Sequence, residues 1–313
     1  MNAVSAHAAL HGVVAPHAIA AADDVRARFL AAQPFRHCVI EDFLAPGFAD
    51  ALLAGFPAFD RGNAINEDGV AAGKSTVERI RTLGPAWATL DDCIQSPAFL
   101  ALVERITGID GLLYDPDYFG GGSHENRDGQ SLDTHIDFNH HPATGWHRRL
   151  NLIVYLNHEW EDDWGGSLEL RRDPHDPDTD QAVTITPLFN RCVIFETTEH
   201  SWHGFPPIRL PETRRSLSRK SVALYFYSRE RPAAELASAH STVYVDRPLP
   251  AHLQPGRVLS ERDVADLRDL MARRDAHNRR LYGEVHALQA ELDRSFASRV
   301  FAAARRARAR LRR

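Results

Sequence analysis

From residue 35 to about 231 the apolar residues come in short runs broken by Gly, Pro, Asn and Asp, the texture of an all-β sandwich or barrel. The clearest runs are 149–156, 167–170, 182–186, 192–195 and 221–227. In 48–56 and 98–106 the apolar positions recur at helical spacing, which predicts helices buttressing one side of the β core. The chain opens with a loose stretch leading into a short helix over 21–33, with Asp23 and Asp24 in its first turn and Pro34 closing it. From Ser260 the pattern is helical and charged. Ser260 and Asp263 form a capping box, and Leu281, Val285, Leu288 and Leu292 step by four, three and four, with Gly283 between them. Two readings of that seam stand: packing against its own domain, or a homodimer contact. Pro248, Pro250 and Pro255 mark a linker before it. The expected fold is mainly β with flanking helices and a C-terminal helical tail. It divides into an N-terminal extension and helix (1–34), a β domain (35–231), a linker (232–259) and the tail (260–313) with its basic end.

Composition narrows the class. With 313 residues, 43% hydrophobic and 25% charged, the chain reads as an ordinary globular protein with one large domain and additions. No run approaches the roughly twenty apolar residues of a membrane span. The first arginine is Arg26, so no basic region precedes an apolar one, and a cytoplasmic location is expected. Cys38, Cys93 and Cys192 are widely spaced and odd in number, which argues against both a disulfide framework and a structural zinc site. The net charge of −5 hides six arginines between 305 and 313, so the body is more acidic than the whole. Such a body disfavours nucleic-acid binding through the core. Residues 295–313, with Phe296, Val300, Phe301 and Leu311 among arginines, read as a solvated basic helix end or as a weak contact with an anionic membrane surface.

The chemistry concentrates at His135, Asp137 and His203. In a strand, side chains two apart project from one face, so His135 and Asp137 can grip the same ion. Two imidazoles and a carboxylate on one side of an octahedral ion leave the other positions open, the facial arrangement of non-haem Fe(II) oxygenases. His200 is the rival third ligand, without the glycine and prolines that follow His203.

Six blocks, 133–138 (DTHIDF), 149–157 (RLNLIVYLN), 164–170 (WGGSLEL), 193–196 (VIFE), 203–207 (HGFPP) and 219–227 (RKSVALYFY), together resemble the Fe(II)/2-oxoglutarate-dependent oxygenases of the prolyl-4-hydroxylase-like branch. The resemblance spans about residues 35–230. It implies a double-stranded β-helix, or jelly roll, with Fe(II) held between its sheets by His135, Asp137 and His203. It implies 2-oxoglutarate and O2 as co-substrates, with ascorbate as a reductant. Arg219 and Ser221, two apart before a strong strand, would take the distal carboxylate of 2-oxoglutarate with Tyr155, and Arg214 with Ser216 is the alternative pair. Arginine suits the task because its planar guanidinium bonds both oxygens. The implied activity is hydroxylation of a C–H bond with release of succinate and CO2; related halogenases lack the carboxylate that Asp137 supplies. The substrate is a protein side chain or a small molecule such as a sugar precursor. An inactive β-helix binding module with a helical interaction tail, and a metal-dependent hydrolase, are the competing readings. Two departures carry expectations of their own: sixteen residues separate His203 from Arg219, predicting a longer loop near the mouth, and Gly120-Gly-Gly before the iron strand suits an active-site lid or a plain surface turn. His140 and His141 are expected at the rim.

Overall fold

The computed structural model describes residues 10–59, 73–176, 178–245, 249 and 253–294. The chain divides into two compact units, Met1–Val245 and Asp246–Arg313. The first contains two antiparallel sheets and a layer of helices, the jelly roll with flanking helices.

The larger sheet comprises β1 (His37–Ile40), β2 (Ser75–Val77), β3 (Leu113–Tyr114), β4 (Gly122–Asn126), β6 (His147–Tyr155), β9 (Cys192–Glu196) and β11 (Arg219–Ser228), in the order β1-β9-β6-β11-β4-β2 with β3 also on β11. The smaller comprises β5 (Leu132–Ile136), β7 (Leu168–Arg171), β8 (Ala182–Ile185), β10 (Trp202–Phe205) and β12 (Val243–Tyr244), in the order β12-β5-β10-β7-β8. Strand alternation assigns the faces of the larger sheet. Leu150, Leu152 and Val154 of β6, Cys192 and Ile194 of β9, and Val222, Leu224 and Phe226 of β11 join one buried cluster with the helices. The intervening Tyr155, Val193 and Phe195 pack instead with Leu168, Leu170 and Ile185 of the smaller sheet. One face of each central strand thus serves the core and the other lines the space between the sheets.

The helices are α1 (Pro16–Ala20), α2 (Ala22–Ala31), α3 (Phe48–Ala54), α4 (Pro85–Ile94) and α5 (Pro97–Thr107). Ser96 caps α5 by accepting from the Phe99 N–H at 3.2 Å, Pro97 sits at its first position, and Gly108 closes it with φ +71°.

The start of the chain differs from the expected loose stretch. From Leu10 onward Val13, Val14, Ala15, Ala18, Val25 and Phe29 are all core residues, and Ala15 N–H bonds Phe43 O at 2.9 Å. Alanine and valine bury little area each, so their pattern reads weakly although together they cover the sheet. The helix α4 was not foreseen either: its apolar positions, Trp87, Leu90, Cys93 and Ile94, are interrupted by the buried Asp91, which bonds Tyr118 Oη at 2.6 Å and pairs with Arg81 at 2.7 Å.

Residues 232–245, expected within a linker, are structured in the first unit. A 3-10 turn at Ala233–Glu235 leads to β12, which pairs antiparallel with β5, Tyr244 opposite His135. Asn139 fastens the segment, donating to Ser238 O at 2.8 Å and accepting from His240 N–H at 3.0 Å, and His240 Nε2 lies 3.0 Å from Glu199.

The second unit contains α6 (Glu261–Arg294), entered through the expected capping box: Ser260 Oγ accepts from Asp263 N–H at 3.2 Å and Asp263 Oδ2 from Ser260 N–H at 2.8 Å. No described helix is long and apolar enough to cross a membrane. The basic end at 295–313 lies outside the described residues.

Candidate metal centre

His135 on β5 and His203 on β10 are direct partners in an antiparallel pair, so their side chains emerge on one face. Asp137 follows one residue past the end of β5. The ligand atoms of His135, Asp137 and His203 all lie within 4.8 Å of one another, the one such group of three among the described residues. His135 Nε2 is 3.6 Å from Asp137 Oδ1, and His203 Nε2 is 3.5 Å from Oδ2.

Both histidines are held in one tautomer by the same local device. Nδ1–H of His135 donates to Asp133 O at 2.8 Å, and Nδ1–H of His203 donates to Ser201 O at 2.9 Å. A carbonyl only accepts, so the proton is on Nδ1 and each Nε2 lone pair faces the partner imidazole and the carboxylate. Converging lone pairs and a carboxylate repel one another and lack a donor between them. A divalent cation with an N2O preference, iron or zinc among them, fits this donor set.

Asp137 is prepared for a single-oxygen grip. Its Oδ2 accepts from Asn151 Nδ2 at 2.8 Å and lies 3.2 Å from the Arg148 guanidinium. Arg148 is 1% exposed, donates to Asn151 Oδ1 at 2.8 and 3.2 Å, and lies between the rings of Tyr225 (3.7 Å) and Phe138 (4.4 Å). The register of β6 against β11 slips here, from Leu150 opposite Phe226 to Arg148 opposite Tyr227. The skipped Arg149 makes a bulge, and Arg148 thereby joins Asn151 on the inner face. Sequence reasoning missed both residues. The available signal was an arginine pair heading an otherwise apolar strand, with an asparagine three residues on.

Burial penalises a charged Asp137, yet Arg148, His203 and His135 together hold its carboxyl well below the ordinary 3.8. Burial first, and His135 second, depress His203 from 6.5 to about 4. In the metal-free protein the unfolded chain therefore takes up a proton on His203 near pH 6.5 while the folded one does not until about pH 4. Stability from this group is complete above the upper value and is lost as pH falls through the window, by about 3 kcal/mol in all. Asp137 adds a further loss only below its unfolded value. Urea midpoints of the metal-free protein should fall between neutral pH and about pH 5, and His203→Gln should flatten that slope; an unchanged slope in the variant would assign it elsewhere.

The second half of the site lies on β11, β6 and the turn before β7. Arg219 is 5% exposed; its Nε donates to Gly166 O at 2.7 Å and its Nη2 to Tyr155 Oη at 3.2 Å, with Phe205 4.3 Å beneath. Burial lowers its pKa, and among the described residues no carboxylate pairs with it. Ser221, also buried, lies opposite Tyr155 in the ladder. The rival Arg214 sits on an exposed 3-10 turn, half exposed and 3.2 Å from Glu159. His200 lies in an exposed turn and is not part of the histidine group. Of the two rim candidates, His141 is instead 3% exposed, with Nε2 3.4 Å from Asp115.

Glycines at two places are required by close packing. A Cβ on Gly166 would meet Ile208 at 2.9 Å and Arg219 Cδ at 3.3 Å, and one on Gly165 would meet Pro207 O at 2.2 Å; both residues have φ +68°. The insert after His203 is a loop without regular structure over 206–211, and it is packed: Ile208 and Leu210 are buried with Trp160, Trp164 and Phe205. A Cβ on Gly122 would meet Val77 O at 2.2 Å, so that glycine lets β2 lie against β4.

Residues 121–227 match the model of the 2OG-Fe(II) oxygenase superfamily. Among curated proteins no sequence matches. A prolyl hydroxylase in complex with a hypoxia-inducible-factor oxygen degradation domain peptide fragment, from Trichoplax adhaerens, is similar at 18% identity over 68% of this chain and 91% of that one, with a TM-score of 0.48. A prolyl-4-hydroxylase of Pseudomonas putida aligns at 16% identity over 69% and 96%, TM-score 0.40. HygX from Streptomyces hygroscopicus, with nickel and 2-oxoglutarate bound, aligns at 12% over 68% and 92%, TM-score 0.41.

Proposed function

We propose, from the match of residues 121–227 to the 2OG-Fe(II) oxygenase superfamily, that this chain is a 2-oxoglutarate-dependent dioxygenase that hydroxylates a C–H bond of a protein side chain or a small molecule. The observation that carries the reading is the pairing of two incomplete sites in one inter-sheet space. One needs a partner for two imidazole Nε2 lone pairs and the Asp137 carboxylate, whose ligand atoms lie within 4.8 Å of one another, and the other needs an anion for the buried Arg219 guanidinium, beside which no carboxylate stands among the described residues. Fe(II) supplies the first need and the distal carboxylate of 2-oxoglutarate the second.

In this reading His135 Nε2, His203 Nε2 and the carboxylate of Asp137 hold Fe(II). Bound iron supplies the oxidising chemistry that couples decarboxylation of 2-oxoglutarate to oxygen insertion. The chain's own contribution is orientation. Ser201 O and Asp133 O fix the two rings, and Asn151 with Arg148 ties down one oxygen of Asp137. Arg219, Tyr155 and Ser221 anchor the far carboxylate, and Gly166 O keeps the guanidinium turned toward that position. Tyr155, Val193, Phe195, Leu168 and Leu170 pack the space between the sheets and keep water from it.

Anaerobic titration of metal-free protein with Fe(II) and then 2-oxoglutarate tests the reading. A weak visible charge-transfer band that fades with succinate formation on admitting O2 is expected. Iron binding without the band would overturn the co-substrate assignment. A whole-cell proteome from a deletion strain that lacks a single-oxygen mass increment on some peptide would identify a protein substrate, and an unaltered proteome would direct the search to small molecules.

A further inference from the structure

Helix α6 carries an exposed apolar stripe along its length. Its apolar residues fall on a heptad: Val264, Met271, Val285 and Leu292 share the first position with Asn278, and Leu267, Leu281 and Leu288 share the fourth with Arg274. From Met271 to Leu292 the apolar members of this stripe are exposed, at 65% for Met271, 50% for Leu281, 46% for Val285, 59% for Leu288 and 66% for Leu292. An amphipathic helix that serves one folded chain turns its apolar stripe inward. Here the apolar members of the stripe from Met271 to Leu292 are exposed.

We infer that this stripe is the seam of a parallel two-stranded coiled coil with a second copy of this chain. A stripe at a spacing of 3.5 residues is self-complementary, so the same patch on two copies satisfies both. Val264 and Val285 at the first position, with Leu267, Leu281 and Leu288 at the fourth, follow the combination that favours two parallel strands. Asn278 in the middle of the first-position series sets register and strand number, because two copies meet side by side only when the helices are parallel and aligned. Charge agrees: in that alignment the fourth-position Arg274 packs beside the fifth-position Asp275 of the other copy, and the twofold axis makes the pair twice. The stripe from Met271 to Leu292 runs roughly 30 Å along the helix, at 1.5 Å per residue, which spans three heptads of layers. The inference is independent of the chemistry proposed for the metal centre.

Sedimentation equilibrium of the full chain is expected to return the mass of two chains, and the double variant Leu281→Glu/Leu288→Glu that of one, with the thermal unfolding of the oxygenase unit unchanged. A monomeric full chain, a mass of three or four chains, or a double variant that stays dimeric would overturn the inference. Orientation is read separately. Asn278→Cys, oxidised, should cross-link copies to one another, since that position faces itself only in a parallel, in-register pair. The native Cys38, Cys93 and Cys192 are all buried and give little background. A dimer that fails to cross-link would overturn the parallel arrangement.

Discussion

Arg148→Met is expected to destabilise the metal-free protein by about 3–5 kcal/mol, the cost of leaving one member of a buried ion pair without the other, and added Fe(II) should recover much of that loss. The pair is Arg148 with Asp137, 3.2 Å apart, and the side chains are 1% and 11% exposed. Without the guanidinium, Asp137 retains only the Asn151 amide as a donor. The methionine keeps most of the apolar stem between Phe138 and Tyr225, so the change is mainly one of charge. A bound cation would replace the missing positive charge beside the same carboxylate. The increase in melting temperature on adding metal should therefore be larger in the variant than in the wild type. An equal loss with and without metal would show that Arg148 acts by packing alone.

The second large effect belongs to Arg219→Ala. It should raise the 2-oxoglutarate requirement roughly 100-fold, the equivalent of about 3 kcal/mol for truncating one side of a buried, hydrogen-bonded charge pair, with Fe(II) affinity unchanged. Its effect on the protein without co-substrate has the opposite character. The guanidinium is buried beside two neutral acceptors, Gly166 O and Tyr155 Oη, and no carboxylate. Arg219→Met should accordingly leave the unliganded protein as stable as the wild type or more so, since it removes an uncompensated buried charge. Arg214→Ala, on its exposed turn, should alter neither quantity. Turnover assays across 2-oxoglutarate concentrations and thermal melts without it check the set. If Arg214→Ala were crippling and Arg219→Ala silent, the carboxylate pocket would have to be placed elsewhere.

The sequence carried the strands with apolar centres and the residues whose chemistry has a spacing. The β6, β9 and β11 runs are legible because burial on both faces demands unbroken apolar stretches. His135 and Asp137 are legible because two-residue spacing has one meaning in a strand. What stayed hidden depends on contacts between distant segments. Arg148 looks like a surface charge until a one-residue slip against β11 turns it inward. The helices around residues 10–31 are built from small residues whose contribution is collective, and α4 contains a buried aspartate satisfied only by Tyr118 and Arg81. The Trp164-Gly-Gly turn could be recognised as a motif, but its reason, the approach of Pro207 and Ile208 to the two glycines, exists only once the chain has folded.

The short strand β12 has a consequence for how this protein can be cut. It occupies the outer edge of the strand that carries His135, with Tyr244 opposite it and Val245 N–H bonded to Thr134 O. A catalytic fragment ended at residue 231, where the apolar runs stop, would strip that edge and present the backbone of the metal-bearing strand to any other open strand in solution. The smallest fragment expected to keep this sheet intact therefore extends through Val245, and a shorter one would be expected to lose the His135 strand to intermolecular pairing.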